Sequence, residues 1–195
     1  MRRFLLPLLL LLTASVAVAL TPAAPPVVVT TLLDTARVAV ARGDWAASVR
    51  ALNEAAHLAR RQAPLVVSAG EVVTGAHVGV GVYDKAVGGV VGDKRLRLYV
   101  EVENLAATSL SPGRFRHELD VVGRFFVVDG GTLEPLGEKN LGRQTVDVWR
   151  PLDVHAVGLD VTLGDAPVGP YVVEVVVTDV ASGRTASRRI PFVLR

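Results

Sequence analysis

PYVVEVVVTDVASGRTASRRIPFVL, residues 170–194, alternates valines across Tyr171 to Thr178 so densely that almost both faces are apolar. That is the pattern of a strand in the centre of a sheet, covered on both sides. Asp179 to Gly183 supplies turn residues and Arg184 to Leu194 returns, so a final hairpin is expected. Upstream the same period of two recurs. In RLRLYVEVE, Arg95 to Glu103, the residues Leu96, Leu98, Val100 and Val102 face one side, and charge or Tyr99 faces a wet side. Val157, Leu159, Val161 and Leu163 repeat the alternation. A longer strand is expected from His117 to Asp129, with a turn at Asp129-Gly130-Gly131 and a return over Thr132 to Leu136. Weaker strands are expected over Leu65 to Thr74, His77 to Tyr83 and Val146 to Trp149. Short strands punctuated by Gly, Pro and Asp turns, with no helices between them, predict a mostly β protein built as an antiparallel sandwich over residues 64–195. Pro191, Arg188 and Arg189 would guard an exposed edge on the last strand.

Ahead of the strands the period is helical, and a short α-helical hairpin is expected over residues 31–63. Thr31-Leu32-Leu33-Asp34 has capping-box spacing, with Asp for the usual Glu, and opens a helix through Arg42. Gly43 stops it and Asp44 caps a second helix, on which Trp45, Val49, Leu52, Ala56 and Ala59 share one face. The segment ARVAVARGDWAASVRALNEAAHLA resembles one helical hairpin of the tetratricopeptide type. A single copy cannot bury a continuous repeat core, which predicts a hairpin packed on the following domain rather than a peptide-binding groove.

Residues 1–19 read as a signal peptide: Arg2-Arg3, then an apolar run, then Ala17-Val18-Ala19 before the cut. The alternative is a retained anchor, against which stand the shortness of the run and Pro7. Residues 20–30 read as a Pro-rich tether. The expected location is periplasmic or secreted, with no stable membrane span after cleavage. With no cysteine in the chain, there is no disulfide and no lipid-anchored cysteine. The formal net charge of +2 includes Arg2 and Arg3, so the mature chain is neutral, and no basic stripe points to nucleic acid.

Pro167-Val168-Gly169-Pro170-Tyr171, the alternating valines, Asp179, Ser182-Gly183-Arg184 and Pro191-Phe192 resemble the last two strands of immunoglobulin-like modules in bacterial envelope proteins. With LYVEVENL, Leu98 to Leu105, they also resemble uncharacterised secreted bacterial proteins that join an N-terminal helical segment to such a sandwich. The resemblance implies an immunoglobulin-like β-sandwich and brings no catalytic residues. The chain lacks the Cys…Trp…Cys core of antibody domains.

Convergent chemistry is sparse. His57, His77, His117 and His155 are dispersed, and His117-Glu118-Leu119-Asp120 puts the histidine and the carboxylates on opposite strand faces, so no metal is assigned. Asp93, Asp153 and Asp165 read as turn caps, and Glu101 and Glu103 as solvated carboxylates. Gly79-Val80-Gly81-Val82-Tyr83-Asp84 lacks the third glycine of a dinucleotide loop and reads as strand. No G-x-S-x-G elbow is present, and no catalytic residue or cofactor is assigned. The surface offers more. Trp149-Arg150 is either an exposed hot spot or, by the simpler reading, a plug for the sandwich end. Arg114-Phe115-Arg116 lies in a loop able to meet an acidic partner. The function expected is a non-enzymatic interaction or assembly module of the cell envelope with a protein partner. The alternatives are an enzyme or metal site around His117, His155 and loop carboxylates, and a ligand cleft between hairpin and sandwich.

Overall fold

The computed structural model describes residues 27–195. The expected signal peptide and the first part of the tether lie outside them. The first helix, α1, runs Val27–Ala41, so the last tether residues are already helical. It begins before the expected capping box because Thr31 does not cap: its hydroxyl donates back to the Val27 carbonyl at 3.0 Å, inside the helix. Gly43 ends the turn at φ 71°. Asp44 caps α2 (Trp45–Gln62) as expected, its carboxylate accepting from the Ala47 amide at 2.9 Å.

The helices pack through their small residues, Val29, Ala36 and Ala39 against a stripe of Ser48, Ala51 and Ala55. The face expected to be buried is rotated outward, and Trp45 is 66% exposed, with Val49 and Leu52 also exposed. Small residues let the helix axes approach closely, which the larger side chains would prevent. The hairpin meets the strands at the C-terminal end of α2, where Arg60 pairs with Asp153 at 2.5 Å.

The strands are β1 (Val66–Val72), β2 (Val90–Val91), β3 (Arg95–Glu103), β4 (Thr108–Ser111), β5 (Arg114–Asp129), β6 (Thr132–Val148), β7 (Val154–Thr162), β8 (Gly169–Asp179) and β9 (Thr185–Leu194). They form two sheets, β1-β3-β7 and β2-β9-β8-β5-β4, with β6 also paired to β5. All pairs are antiparallel except β2 with β9. One core joins the inner faces: Leu96, Leu98, Val100 and Val102 from β3, Val157, Leu159 and Val161 from β7, Leu119 and Val121 from β5, and Val173, Val175 and Val177 from β8. As the valine run predicts, β8 is central, between β5 and β9.

Several elements differ from the pattern in the sequence. Residues 77–83 form a loop held by the isolated bridge Gly79↔Val82, with Gly81 at φ 71°. The loop lies over the supposedly wet face of β3, where Tyr83 stacks on Tyr99 at 4.1 Å, and Tyr99 is fully buried. The segments expected at Thr132–Leu136 and Val146–Trp149 are one strand, β6. Register shifts opposite Val121/Val122 and Phe125/Phe126 absorb Leu141 and Leu136 without ending it. Arg114–Arg116 is the start of β5 rather than a loop. The outer edge of β9 is covered, since β2 pairs with Val193–Leu194 and Arg188 donates to the Ser68 carbonyl at 2.9 Å.

The turn after β8 holds a buried ion pair. Asp179, 0% exposed, accepts from the Ala106 amide at 2.9 Å, the Ser182 hydroxyl at 2.5 Å and Arg184 at 3.3 Å. Arg184 gives its Nε to the Ser182 hydroxyl oxygen at 2.9 Å and further donors to the Asn104 carbonyl, at 2.6 Å, and the Ala63 carbonyl just past α2. Removing one member of such a pair leaves a charge and several donors unsatisfied. Asp179→Ala is therefore expected to lower the free energy of urea unfolding by about 3–5 kcal/mol. Arg184→Lys is expected to recover little of an Arg184→Ala loss, because an ammonium lacks the planar fork that reaches three acceptors.

Candidate functional site

The sequence candidates Arg114, Arg116, Trp149 and Arg150 converge at one end of the larger sheet. The register of β5 and β6 sets Arg116 opposite Asp147 and Phe115 opposite Val148. Arg116 grips Asp147 with both arms, Nε to Oδ1 at 2.7 Å and Nη2 to Oδ2 at 3.0 Å. Hydrogen bonding to this guanidinium holds the Asp147 carboxyl below its usual range. Arg114 reaches the same carboxylate at 3.7 Å and lies over the Trp149 ring, 5.8 Å from its centroid. Trp149 is 78% exposed, so it does not plug the sandwich end. Period-two alternation separates the remaining candidate: Phe115 turns to the opposite, core-side face with Val148, both half-buried. Arg150 is exposed and forms no ion pair among the described residues. Two arginines, one of them over an indole, thus meet at one carboxylate, with Arg150 exposed beside them, a surface suited to an acidic or aromatic partner.

Behind this surface lies a histidine whose role the sequence does not disclose. His117 is fully buried on β5. Its Nδ1 is 3.0 Å from the Ala106 carbonyl, which can only accept, so that nitrogen carries the proton. Nε2 accordingly accepts from the Leu152 amide at 3.0 Å, in the β6–β7 connection that follows Trp149. With both nitrogens bonded to backbone, His117 has no lone pair left for a metal. His155 on β7 is half-buried, and both histidines are pushed below their ordinary value, chiefly by burial. Among the described residues, no three His, Asp or Glu side chains are placed to hold one ion.

A second polar cluster holds the 73–86 loop. The Tyr99 hydroxyl donates to Glu101, while the Gly81 amide donates to the Tyr99 oxygen at 2.7 Å and to Glu101 at 2.9 Å. Burial and the neighbouring carboxylate push Tyr99 up to about 12, beyond use in acid–base chemistry near neutrality. Glu101 is therefore a clip rather than a freely solvated carboxylate. His77 lies edge-on to Tyr99 at 5.5 Å and occupies the space above Gly158, where an added Cβ would meet its ring at 2.6 Å.

No family model and no curated protein matches the chain. Among solved structures it is similar to a Pseudomonas fluorescens alkylpurine DNA glycosylase, AlkC, bound to DNA containing an abasic site analog. The identity there is 15% and the TM-score 0.38, over 86% of this chain and 42% of that one. It is also similar to a family 123 glycoside hydrolase from Clostridium perfringens, at 8% identity and TM-score 0.38, over 68% of this chain and 27% of that one. A Kluyveromyces marxianus β-glucosidase in complex with glucose matches at 14% identity and TM-score 0.30, over 67% of this chain and 14% of that one. The chain spans less than half the length of each of these structures, and none of the likenesses assigns it a function.

His117 makes stability depend on pH. The unfolded histidine takes a proton near 6.5, while the native one does so only at lower pH, because burial disfavours the charged ring. Stability should be full above about pH 6.5 and fall as the pH drops toward the lowered native value. Urea titrations at pH 7.5 and 5.0 check this, and His117→Asn should flatten the difference between them.

Proposed function

We propose that this chain is an exported, non-enzymatic protein whose immunoglobulin-like sandwich works as an interaction or assembly module of the cell envelope. The observation that carries the proposal is the exposed Trp149, stacked under Arg114 beside Arg116 and Arg150 and backed by the buried His117–Leu152 bond. An exposed Trp flanked by arginines is the composition of a binding hot spot, and this one stands on paired strands that hold it in place.

The immunoglobulin-like reading draws support from strand order. The order β9-β8-β5-β6 on one sheet and β1-β3-β7 on the other follows the G-F-C-C′ and A-B-E arrangement. Tyr171 adds to it: near the start of β8 its hydroxyl donates back to the Pro167 carbonyl at 2.6 Å, the contact that defines a tyrosine corner. Export rests on the leader pattern of residues 1–19. Among the described residues no helix is long and apolar enough to cross a membrane. The exposed Trp45, Val49 and Leu52 on the hairpin also suit a protein that meets others.

Crosslinking of the tagged protein in its native cells, followed by mass spectrometry, tests the proposal. The expected outcome is a discrete envelope protein captured by the native chain and lost with Trp149→Ala. That variant should unfold within about 0.5 kcal/mol of the native protein, as exposed substitutions do. An identical capture profile from the two proteins would overturn the assignment of this surface.

A further inference from the structure

The two sheets part on the flank between β6 and β7, and the gap holds a cavity of about 270 Å³. Its walls are mostly apolar, with Phe125, Leu136, Leu163, Tyr171 and Phe192, and Glu138 and Lys139 line it as well. Two cross-strand pairs create the space. On β5 and β6, Phe125 stands opposite Gly137 and Gly123 opposite Lys139, so on the core-facing side the edge strand presents no side chain at one position and a lysine at the other. Gly123 faces the core, since a Cβ there would meet Leu141 and Phe125 at 3.1 Å, and directly opposed residues point to the same face. Lys139 is thus carried on the inner side of an edge strand, and it lines the cavity. Its neighbour Glu138 is committed to Arg124 at 3.0 Å, and Lys139 itself forms no ion pair or side-chain hydrogen bond among the described residues.

We propose that this cavity binds a small amphiphile with an anionic head, a carboxylate carrying an apolar body, with the head group paired to Lys139. The size fits: a cavity of about 150 Å³ accepts benzene, so this one admits a body of roughly eight to ten carbons. The charge fits as well, because an unpaired cation at the rim of an aromatic pocket favours an anionic head over a neutral or cationic one. The site is independent of the Trp149 surface, which lies some nine residues, or about 30 Å, back along β5. An inward lysine on an edge strand also deters strand pairing, and that role alone would require no ligand.

Octanoate is the probe, with octanol and octylamine as head-group controls. They are titrated into ¹⁵N-labelled protein at pH 7.5 and low salt, followed by amide chemical shifts. Octanoate is expected to shift amides of residues 123–125, 136–139 and 161–166 saturably, with affinity at least tenfold above octylamine. Lys139→Glu should weaken octanoate by tenfold or more and leave octanol unchanged, and Lys139→Gln separates loss of charge from repulsion. Leu136→Trp, at an exposed position on the mouth, should block all three. Amide spectra and melting temperatures of the variants establish that they fold. Shifts that scatter over the surface, no saturation at millimolar octanoate, or undiminished octanoate binding by both Lys139 variants would overturn the proposal and leave Lys139 as an edge guard.

Discussion

The buried pair of Asp179 and Arg184 ties together segments that regular structure leaves separate. A carboxylate removed from water has to be met by donors, and here they come from Ala106, Ser182 and Arg184. The arginine then carries the constraint outward to the β3–β4 connection through Asn104 and to the end of α2 through Ala63. Asn104 adopts φ 63° and gives its side-chain amide to the Pro64 carbonyl, fastening the helix exit from the other side. The Ala106 peptide is clamped at both ends, its N–H by Asp179 and its carbonyl by His117. Because His117 also holds Leu152, one continuous chain of hydrogen bonds runs from the hairpin to the connection beside Trp149. Burial makes each of these bonds count, since water cannot replace a missing partner.

This arrangement gives the two ends of the larger sheet different characters. At the Trp149 end, side chains are bonded to one another and to rigid backbone, so an exposed aromatic ring is held without being covered. At the β6–β7 flank the sheets separate, because Gly137 presents no side chain opposite Phe125 and a lysine takes the place of a core residue opposite Gly123. Edge strands that point a charge inward sacrifice packing for protection against further pairing. The same lysine, facing aromatic walls, gives the gap a chemical preference.

Much of the β architecture was legible because burial on one face imposes a period of two. The strands β3, β5, β7, β8 and β9, and the turns at Gly130-Gly131 and Ser182-Gly183, stand close to where alternation and turn residues put them. Where the pattern misled, a tertiary partner had overridden it. Tyr99 looked solvent-facing because the loop that buries it is distant in sequence. The valines of residues 78–82 looked like a strand, but nothing pairs with them beyond a single bridge. On α2 the large apolar residues marked the face left in solvent, because close helix packing selected the alanine stripe instead. Of the candidate surface, residue types were readable and the juxtaposition was not, since the β5–β6 register alone brings Arg114 to Trp149.

The sequence by itself determined the elements: which segments alternate and so become strands, where Gly43 and Asp44 break one helix and start the next, and that no cysteine chemistry is available. These are local properties, set by side-chain period, backbone freedom and composition. Only the tertiary structure decided that Asp179 and Arg184 would be paired in the interior, that His117 would spend both nitrogens on backbone, and that Lys139 would line a mostly apolar gap between the sheets. Each of these depends on register and on contacts between residues far apart in the chain. A one-residue slip would reverse the face of every side chain on a strand, and no local pattern encodes which of the competing registers buries the most surface while leaving no buried charge unpaired.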